Sequence, residues 1–319
     1  MEKLDDRRWA HGIATLRGAC EAGAAAAWPW VGRLNKETAD SHAAEAMRAV
    51  LRGLGMPMRV IAGEGEKDGV EHLAVGEIIG GASQLVGLDL AVDPIEGTTN
   101  LAHGLPWALC VAAATPSGGM YETGASLYMD KLVVPPAAAA HIDPEAGTAD
   151  RLAQLARALG RPVSTLRVFV LDKPRHKALA AEIVGAGARI ALFSAGDVVG
   201  TCATAMGEHF DAVMGIGGTP EGVLSACAVR ALGGGFFARL APQRAEEAEA
   251  MQRAAIPYDR WLTVSEMIPS ERAVFCAAGI TESLLTPGIV ELAARTTVST
   301  LLIQTHHDPM ARVARHLST

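Results

Sequence analysis

Apolar residues at the start of the chain recur at three- and four-residue steps. Over residues 5 to 34 this pattern includes Trp9, Ile13 and Leu16, which predicts an amphipathic helix that bends near Pro29. Farther along, apolar residues gather into short runs separated by polar turns, and such runs are typical of buried strands. The chain is therefore predicted to combine helices with sheets.

A second helix is predicted from about Glu37 to Leu54, and its apolar face carries charged residues. Counting back four residues at a time from Ala44 places Asp40 and then Lys36 on that face. Charges on an apolar face indicate a functional role. The alternative is a solvated first turn, in which Asp40 favours the positive end of the helix dipole.

The densest group of chemically active residues follows an apolar strand predicted from Leu88 to Val92. The strand is expected to end at Asp93 and Pro94, because proline has no amide hydrogen with which to continue a strand ladder. The turn frees the carbonyl of Ile95, and Glu96 adds a second carboxylate. Hard oxygen ligands of this kind suit Mg²⁺ or Mn²⁺ better than zinc. The alternative is an Asp-Pro turn that caps a buried strand.

The residues that follow extend this motif toward phosphate chemistry. Gly97 permits a positive φ, and Thr98 and Thr99 open the next segment with hydroxyls and amides that could hold a phosphate. Upstream, the segment GEGEKDG sets Glu64 and Glu66 between glycines, where both acids could join the same metal site. An exposed acidic turn explains GEGEKDG equally well.

From Leu166 onward, short apolar runs alternate with helical segments. Strands are predicted at residues 166 to 171, 189 to 193, 210 to 214, 236 to 240 and 273 to 277. The alternation predicts a largely parallel sheet, whose chemistry would lie at the carboxyl ends of the strands. We therefore predict two domains, a metal-binding domain at residues 1–160 and a substrate-binding α/β domain at residues 161–319.

Two loops at predicted strand ends carry candidate ligands. The segment DKPRH offers Lys173, Arg175 and His176 ahead of a helix, which is typical of a phosphate clamp and also of a solvated loop. The segment GIGGTPEG opens another helix and sets Glu221 in its first turn. It lacks the GxGxxG spacing of a dinucleotide-binding turn, so a nucleotide cofactor is not expected.

Composition and charge narrow the class of protein. At 319 residues, 50% hydrophobic and 20% charged, the chain has an ordinary globular composition. Its 28 basic and 35 acidic residues give a net charge of −7. The sequence therefore lacks the excess of positive charge that is typical of proteins that bind nucleic acid or an anionic membrane. The 5 cysteines occur singly, and the sequence shows neither a signal-peptide core nor an apolar stretch of about 18 residues. We therefore expect a cytoplasmic protein.

Taken together, the motifs resemble the class II fructose-1,6-bisphosphatases, the bacterial branch of the lithium-sensitive phosphatase superfamily. The resemblance runs in order from about residue 7 to residue 315. Its segments are NKETAD, GEGEKD, AVDPIEGTTN, the Tyr128 strand, KPRH, GAGARIALFSAGDV, MGIGGTPEGVLSA and AAGITESLL. It implies a mixed α+β fold, specifically a layered αβαβα sandwich, and a homo-oligomeric, divalent-metal hydrolase of carbohydrate metabolism and gluconeogenesis.

The resemblance also implies roles for individual residues. Those that would bind or orient Mg²⁺ or Mn²⁺ are Asp40, Glu64, Asp93, Glu96 and Glu221. Thr98 would position the attacking water, while Lys36 and Glu66 would support the same site. Those that would contact the sugar phosphate are Tyr128, Lys173, Arg175, His176, Asp197 and Gly97.

Two positions depart from the family pattern. Lys173 stands where arginine is usual, and Ala195 stands where aspartate is usual, so a bidentate fork and a hydroxyl acceptor are both lost. Fructose 1,6-bisphosphate remains the leading substrate. Sedoheptulose 1,7-bisphosphate or a specialised sugar phosphate is the alternative among enzymes, and a catalytically silent paralogue that binds a sugar phosphate is the alternative outside them.

Overall fold

The computed structural model describes residues 4–63, 73–81, 87–292 and 295–319. Within these residues the helices are α1 (Asp6–Ala27), α2 (Lys36–Arg52), α3 (Thr98–Ala102), α4 (Thr148–Leu159), α5 (Lys177–Gly185), α6 (Asp197–Ala205), α7 (Thr219–Leu232), α8 (Ala245–Arg253) and α9 (Val264–Met267). The strands are β1 (Met58–Ala62), β2 (Ile78–Ile79), β3 (Leu88–Glu96), β4 (Leu109–Pro116), β5 (Tyr128–Val134), β6 (Arg167–Leu171), β7 (Arg189–Phe193), β8 (Ala212–Gly218), β9 (Gly235–Leu240), β10 (Leu262–Thr263), β11 (Val274–Gly279), β12 (Val290–Leu292), β13 (Arg295–Gln304) and β14 (Val313–Ser318). The predicted mixture of helices and strands is confirmed.

The chain forms two compact units. The first unit comprises Met1–Tyr121 and Pro269–Thr319, and the second unit comprises Glu122–Ile268. This grouping differs from the predicted division at residue 160, in which each domain was one continuous segment. The chain returns to the first unit because β11 inserts between β4 and β13 of that unit's sheet. Pairing between segments so distant in sequence leaves no signal in a local pattern of apolar residues.

The first unit is built on a mixed sheet. Its strand order is β12, β13, β11, β4, β3, β1 and β2, and β14 also pairs with β13. β1 and β3 are parallel, whereas the other described pairs of this sheet are antiparallel. β3 lies in the interior of the sheet, hydrogen-bonded to β1 on one side and to β4 on the other. The residues at its end are therefore held on a rigid support.

The two predicted N-terminal helices pack against this sheet. α1 ends at Ala27 and is followed by a 3-10 turn at Trp28–Trp30, so the α-helix stops just before Pro29, whereas one bent helix was predicted over residues 5 to 34. α2 begins where the Asn35 side chain accepts a hydrogen bond from the amide of Thr38 and so caps the helix. Apolar residues from α1, α2 and the sheet form one buried core.

The second unit contains a sheet with the strand order β10, β9, β5, β8, β6 and β7. β6 is parallel to both β7 and β8, but β5 is antiparallel to both β8 and β9. The predicted largely parallel sheet is therefore wrong, and the strand predicted at residues 273 to 277 belongs to the first unit as β11. The direction of pairing depends on how the connecting segments pack, which apolar runs do not encode. Two mixed sheets with helices confirm the predicted α+β class.

Two expectations from composition can be compared with the structure. No helix in the described part of the chain is both long enough and apolar enough to cross a membrane. All five cysteines are free and buried, as expected of single thiols in apolar surroundings.

Candidate active site

The end of β3 places two carboxylates on the same side of the strand. Asp93 pairs with Val111 on the neighbouring strand β4. Glu96 pairs with Leu109, so β3 advances three residues while β4 advances two. Side chains three residues apart point to opposite faces of a regular strand, whereas this bulge brings Asp93 and Glu96 to one side. Their carboxylates have oxygens within 4.8 Å of each other.

The same bulge explains why β3 continues beyond its predicted end at Asp93. Pro94 was expected to stop the strand, but proline is tolerated at a bulge because no ladder bond is lost there. The amide of Ile95 donates a hydrogen bond of 3.0 Å to Oδ1 of Asp93. The turn therefore fixes the orientation of the first carboxylate.

Asp93 and Glu96 together suit a divalent cation. Asp93 is half-buried and Glu96 is only 6% exposed, so both charges are partly removed from water. Two negative charges at this separation repel each other, and a shared cation removes the repulsion. Carboxylate oxygens are also the ligands that Mg²⁺ and Mn²⁺ prefer. The donor set therefore fits a hard divalent metal ion.

Gly97 and Thr98 form the turn from β3 into α3. Gly97 has a φ of 82°, and a Cβ at this position would overlap the carbonyl oxygen of Trp107. Only glycine satisfies both constraints. Thr98 begins α3, and its hydroxyl donates a hydrogen bond of 3.0 Å to the carbonyl of Ile95. The hydroxyl is thus fixed against the backbone of Ile95, the residue just before Glu96.

The charged residues of α2 occupy different environments. Asp40 is buried, with 8% exposure, so it does not belong to a solvated first turn. Lys36 is exposed, and its Nζ donates a hydrogen bond of 2.7 Å to Oγ1 of Thr99. The contact ties the start of α2 to the residue beside Thr98.

Two predicted acids, Glu64 and Glu66, lie outside the described residues, and their roles stay predictions. The strand that precedes them is described. β1 runs parallel to β3, with Ala62 paired with Ala91. Because parallel strands end at the same edge of a sheet, β1 ends at the edge that carries Asp93.

In the second unit, Arg175 is anchored by two neighbours. Its guanidinium donates two hydrogen bonds to the carbonyl of Ile216, at 3.2 Å from Nε and 2.8 Å from Nη2. It also lies 5.5 Å from the ring centroid of Tyr128, a cation–π arrangement. Lys173 is half-buried and precedes the 3-10 turn Pro174–His176. The predicted clamp residues therefore share one loop, with the orientation of Arg175 already set.

His176 is buried and bonded to the backbone through both ring nitrogens. Nδ1 lies 2.7 Å from the carbonyl of Leu171, and Nε2 accepts a hydrogen bond of 2.8 Å from the amide of Ile216. Burial lowers the pKa of the imidazole, which favours the neutral ring that these two bonds require. The peptide of Ile216 thus binds His176 through its amide and Arg175 through its carbonyl.

A buried ion pair lies at the start of α6. Asp197 is the first residue of this helix, and its Oδ2 accepts a hydrogen bond of 2.7 Å from Nζ of Lys131 on β5. The sequence motifs gave Lys131 no role. The signal that could have found it is a lysine inside the apolar segment MDKLVV.

Glu221 is half-buried in the first turn of α7. A Cβ at Gly218 would overlap the carboxylate of Glu221, so glycine leaves the space that this acid occupies. An acid at this position is favoured by the positive end of the helix dipole. The predicted location of Glu221 at a helix start is therefore confirmed.

Comparison with known proteins identifies the family of this chain. Residues 12–317 match the family described as "Bacterial fructose-1,6-bisphosphatase, glpX-encoded". This chain belongs to the class II fructose-1,6-bisphosphatase family. The family resemblance predicted from the motifs is confirmed, and membership makes the chain a phosphoric monoester hydrolase that acts on a sugar bisphosphate.

Curated relatives of this class II fructose-1,6-bisphosphatase carry two kinds of name. "D-fructose 1,6-bisphosphatase class 2/sedoheptulose 1,7-bisphosphatase" of Microcystis aeruginosa is 36% identical, with 94% of this chain and 92% of the relative covered. The protein of the same name from Synechocystis is 37% identical, covering 84% of this chain and 85% of the relative. "Fructose-1,6-bisphosphatase 1 class 2" of Escherichia coli is 37% identical, covering 92% and 91%.

Proposed function

We propose that this class II fructose-1,6-bisphosphatase hydrolyses the 1-phosphate of fructose 1,6-bisphosphate with Mg²⁺ or Mn²⁺ as its cofactor. The proposal is carried by the pair Asp93 and Glu96, whose oxygens lie within 4.8 Å of each other just before Thr98. Phosphate ester hydrolysis needs charge stabilisation and a positioned water more than covalent help from the protein. The end of β3 offers groups suited to both tasks.

The proposed metal ligands are all carboxylates. They are Asp40, Glu64, Asp93, Glu96 and Glu221. Asp40 is included because it is buried, with 8% exposure, on the same face of α2 as Ala44. When bound, a divalent cation neutralises charge on the phosphoryl oxygens and lowers the pKa of water at the site.

Thr98 is proposed to orient the attacking water. Its hydroxyl donates a hydrogen bond to the carbonyl of Ile95, so its oxygen is left to accept a hydrogen bond from a water molecule. A water held in this way keeps a lone pair for in-line attack on phosphorus. Lys36 supports the turn through its hydrogen bond to Thr99. Glu66 is proposed to assist the attack of the water.

The proposed sugar-phosphate site comprises Tyr128, Lys173, Arg175, His176, Asp197 and Gly97. Lys173 and Arg175 supply positive charge for a phosphate. His176 contributes by holding the peptide of Ile216, which in turn holds Arg175. In this proposal residues 1–160 supply most of the metal ligands, and residues 161–319 supply most of the substrate contacts.

A second substrate is favoured by one specific observation. The turn Ser194–Asp197 carries Ala195, so a single carboxylate is available there to meet sugar hydroxyls. A turn with fewer acceptors discriminates less strictly among sugars. Sedoheptulose 1,7-bisphosphate, named in two of the relatives, is therefore the alternative substrate.

The test is phosphate release from a panel of esters with Mn²⁺, with Mg²⁺ and with a chelator. The panel contains fructose 1,6-bisphosphate, sedoheptulose 1,7-bisphosphate, fructose 6-phosphate and inositol 1-phosphate. We expect metal-dependent release of one phosphate from fructose 1,6-bisphosphate, with fructose 6-phosphate as the product. Silence toward every ester would favour a binding protein, and turnover that survives the chelator would contradict the metal role.

We further propose that the enzyme is a cytoplasmic homo-oligomer that serves gluconeogenesis and does not bind nucleic acid. A net charge of −7 supports the last point, because nucleic-acid binding depends on clustered positive charge. Light scattering after gel filtration measures the assembly state. An electrophoretic shift assay with double-stranded DNA measures nucleic-acid binding, and no shift is expected.

A further inference from the structure

Lys131 is the most deeply buried lysine among the described residues. Its side chain is 2% exposed and lies on β5, an interior strand of the sheet in the second unit. Nζ donates to Oδ2 of Asp197 at 2.7 Å, and no other partner for this ammonium occurs within the described part of the chain. Burying an ammonium costs free energy that the pair with Asp197 offsets only in part.

Two glycines make room for this ion pair. A Cβ at Gly217 would overlap Oδ2 of Asp197 and lie 2.9 Å from Nζ of Lys131. A Cβ at Gly222 would lie 3.3 Å from Cε of Lys131 and would overlap the sulfur of Met129. Side chains at positions 217 and 222 would therefore occupy the space in which the ammonium meets the carboxylate. The close packing around this space fixes the position of Asp197.

The other oxygen of Asp197 is left available. Oδ2 is occupied by Lys131, and the described residues provide no hydrogen-bond donor to Oδ1. Asp197 is also the first residue of α6, where the helix dipole favours an ionised carboxylate. An ionised carboxylate only accepts hydrogen bonds, so Oδ1 is suited to a hydroxyl group and repels a phosphate.

We infer that Lys131 is a positioning residue that fixes the orientation of the Asp197 carboxylate, so that Oδ1 accepts a hydrogen bond from a hydroxyl of the sugar. The pair thereby makes the enzyme specific for a hydroxylated carbon chain between the phosphates. This inference rests on the proposed function, in which Asp197 contacts the sugar. Because Asp197 is the one acid in the turn Ser194–Asp197, the discrimination depends on this carboxylate.

The test compares two bisphosphates with the same number of backbone carbons. Fructose 1,6-bisphosphate carries sugar oxygens, whereas hexane-1,6-diol bisphosphate carries none between its phosphates. For each compound, kcat/KM is measured by phosphate release with Mn²⁺, and Kd is measured by calorimetry. The proteins are the wild type, Lys131→Met, Asp197→Asn, the double variant, and Lys177→Met as a control at an exposed lysine.

We expect the wild type to prefer the sugar, and Lys131→Met to reduce that preference at least ~10-fold, the range for a hydrogen bond to a charged group. Activity on the hydroxyl-free compound should change less than about 3-fold, a difference within the spread of small perturbations. Asp197→Asn should have the same effect, and the double variant should lose no more than Asp197→Asn alone. Lys177→Met should retain the preference of the wild type.

Three outcomes would overturn the inference. Equal losses on both compounds in Lys131→Met would show a structural ion pair only. Additive losses in the double variant would show that Lys131 does not act through Asp197. If Lys131→Met does not fold, the double variant, which leaves no unpaired charge, replaces it and is compared with Asp197→Asn. A weaker preference for the sugar in the double variant than in Asp197→Asn would contradict the inference. Failure of the wild type to release phosphate would contradict the proposed function instead. The ratio of the Kd values for the two bisphosphates would still test the role of Lys131.

Discussion

The hydroxyl of Thr98 donates a hydrogen bond to the carbonyl of Ile95, at 3.0 Å, inside the turn that joins β3 to α3. The proton of the hydroxyl is therefore committed to the protein, and the oxygen can act only as an acceptor toward a further partner. This relationship makes Thr98 suited to orienting a water molecule rather than to donating a proton.

Replacing Thr98 by valine removes the acceptor while preserving the shape of the side chain. We expect Thr98→Val to lower kcat on fructose 1,6-bisphosphate by about 10²-fold, the order of loss when a reacting group is no longer held in position. Thr98→Ser keeps the hydroxyl and is the matched control, with activity near that of the wild type. Phosphate release under saturating Mn²⁺ measures both, and equal activity of the valine and serine variants would contradict the role.

Asp93→Asn is expected to weaken the metal site. Carboxylate oxygens of Asp93 and Glu96 lie within 4.8 Å of each other, close enough to bind one ion. Loss of one of these charges should raise the Mn²⁺ concentration for half-maximal activity at least ~10-fold. Asp89, on the same strand, is the matched control. Its carboxylate is buried and accepts hydrogen bonds from the amides of Gly118 and Gly119, away from the bulge. Asp89→Asn should leave the Mn²⁺ dependence unchanged; a shift as large as that of Asp93→Asn would refute the assignment.

Gly97→Ala tests the turn itself. Gly97 and Gly118 have similar positive φ angles, 82° and 79°, so alanine is strained at both by about 1–2 kcal/mol. Only at Gly97 would the new Cβ overlap the carbonyl of Trp107, since Gly118 has open space around that position. We expect a clearly larger loss of free energy of unfolding and of activity for Gly97→Ala. Urea denaturation and kcat/KM measure both, and matching losses in the two variants would show that the close approach is unimportant.

His176 predicts a pH dependence of stability. Burial holds the pKa of the folded imidazole below the ordinary value of about 6.5. Between the folded pKa and about 6.5, the unfolded chain binds a proton that the folded protein does not. The contribution of His176 is thus present above about pH 6.5 and is lost as pH falls through the folded pKa.

Urea denaturation across about pH 5 to 7.5 tests this prediction. His176→Gln retains a donor and an acceptor for Leu171 and Ile216 but does not titrate, so its free energy of unfolding should fall less on acidification than that of the wild type. The exposed His141 provides the control, His141→Gln, whose pH dependence should match the wild type. Identical slopes for the wild type and His176→Gln would contradict the prediction.

The N-terminal helices and the acidic motif could be predicted because their signals are local. Three- and four-residue apolar steps define α1 and α2, and Asp40 was identified because it shares a helix face with Ala44. The pairing of strands could not be predicted in the same way. β11 pairs with β4 across more than half of the chain, and neither strand carries a local mark of its partner or its direction.

Individual site residues show the same limit. The sequence indicated that His176 could meet a phosphate, but it could not show that Leu171 and Ile216 occupy both ring nitrogens. Nor could it assign a partner to Lys131, because Asp197 lies 66 residues away. Such contacts depend on which elements pack together, and on how much water that packing removes.

The sequence by itself determined which residue types are available for the proposed chemistry, namely carboxylates, a threonine and basic side chains at motif spacing. Only the tertiary structure decided the orientation and the partners of these side chains. A one-residue bulge turns Glu96 to the side of Asp93, and glycine slots seat Lys131 against Asp197. Direction and burial arise from long-range packing, whereas residue identity is already present in the unfolded chain.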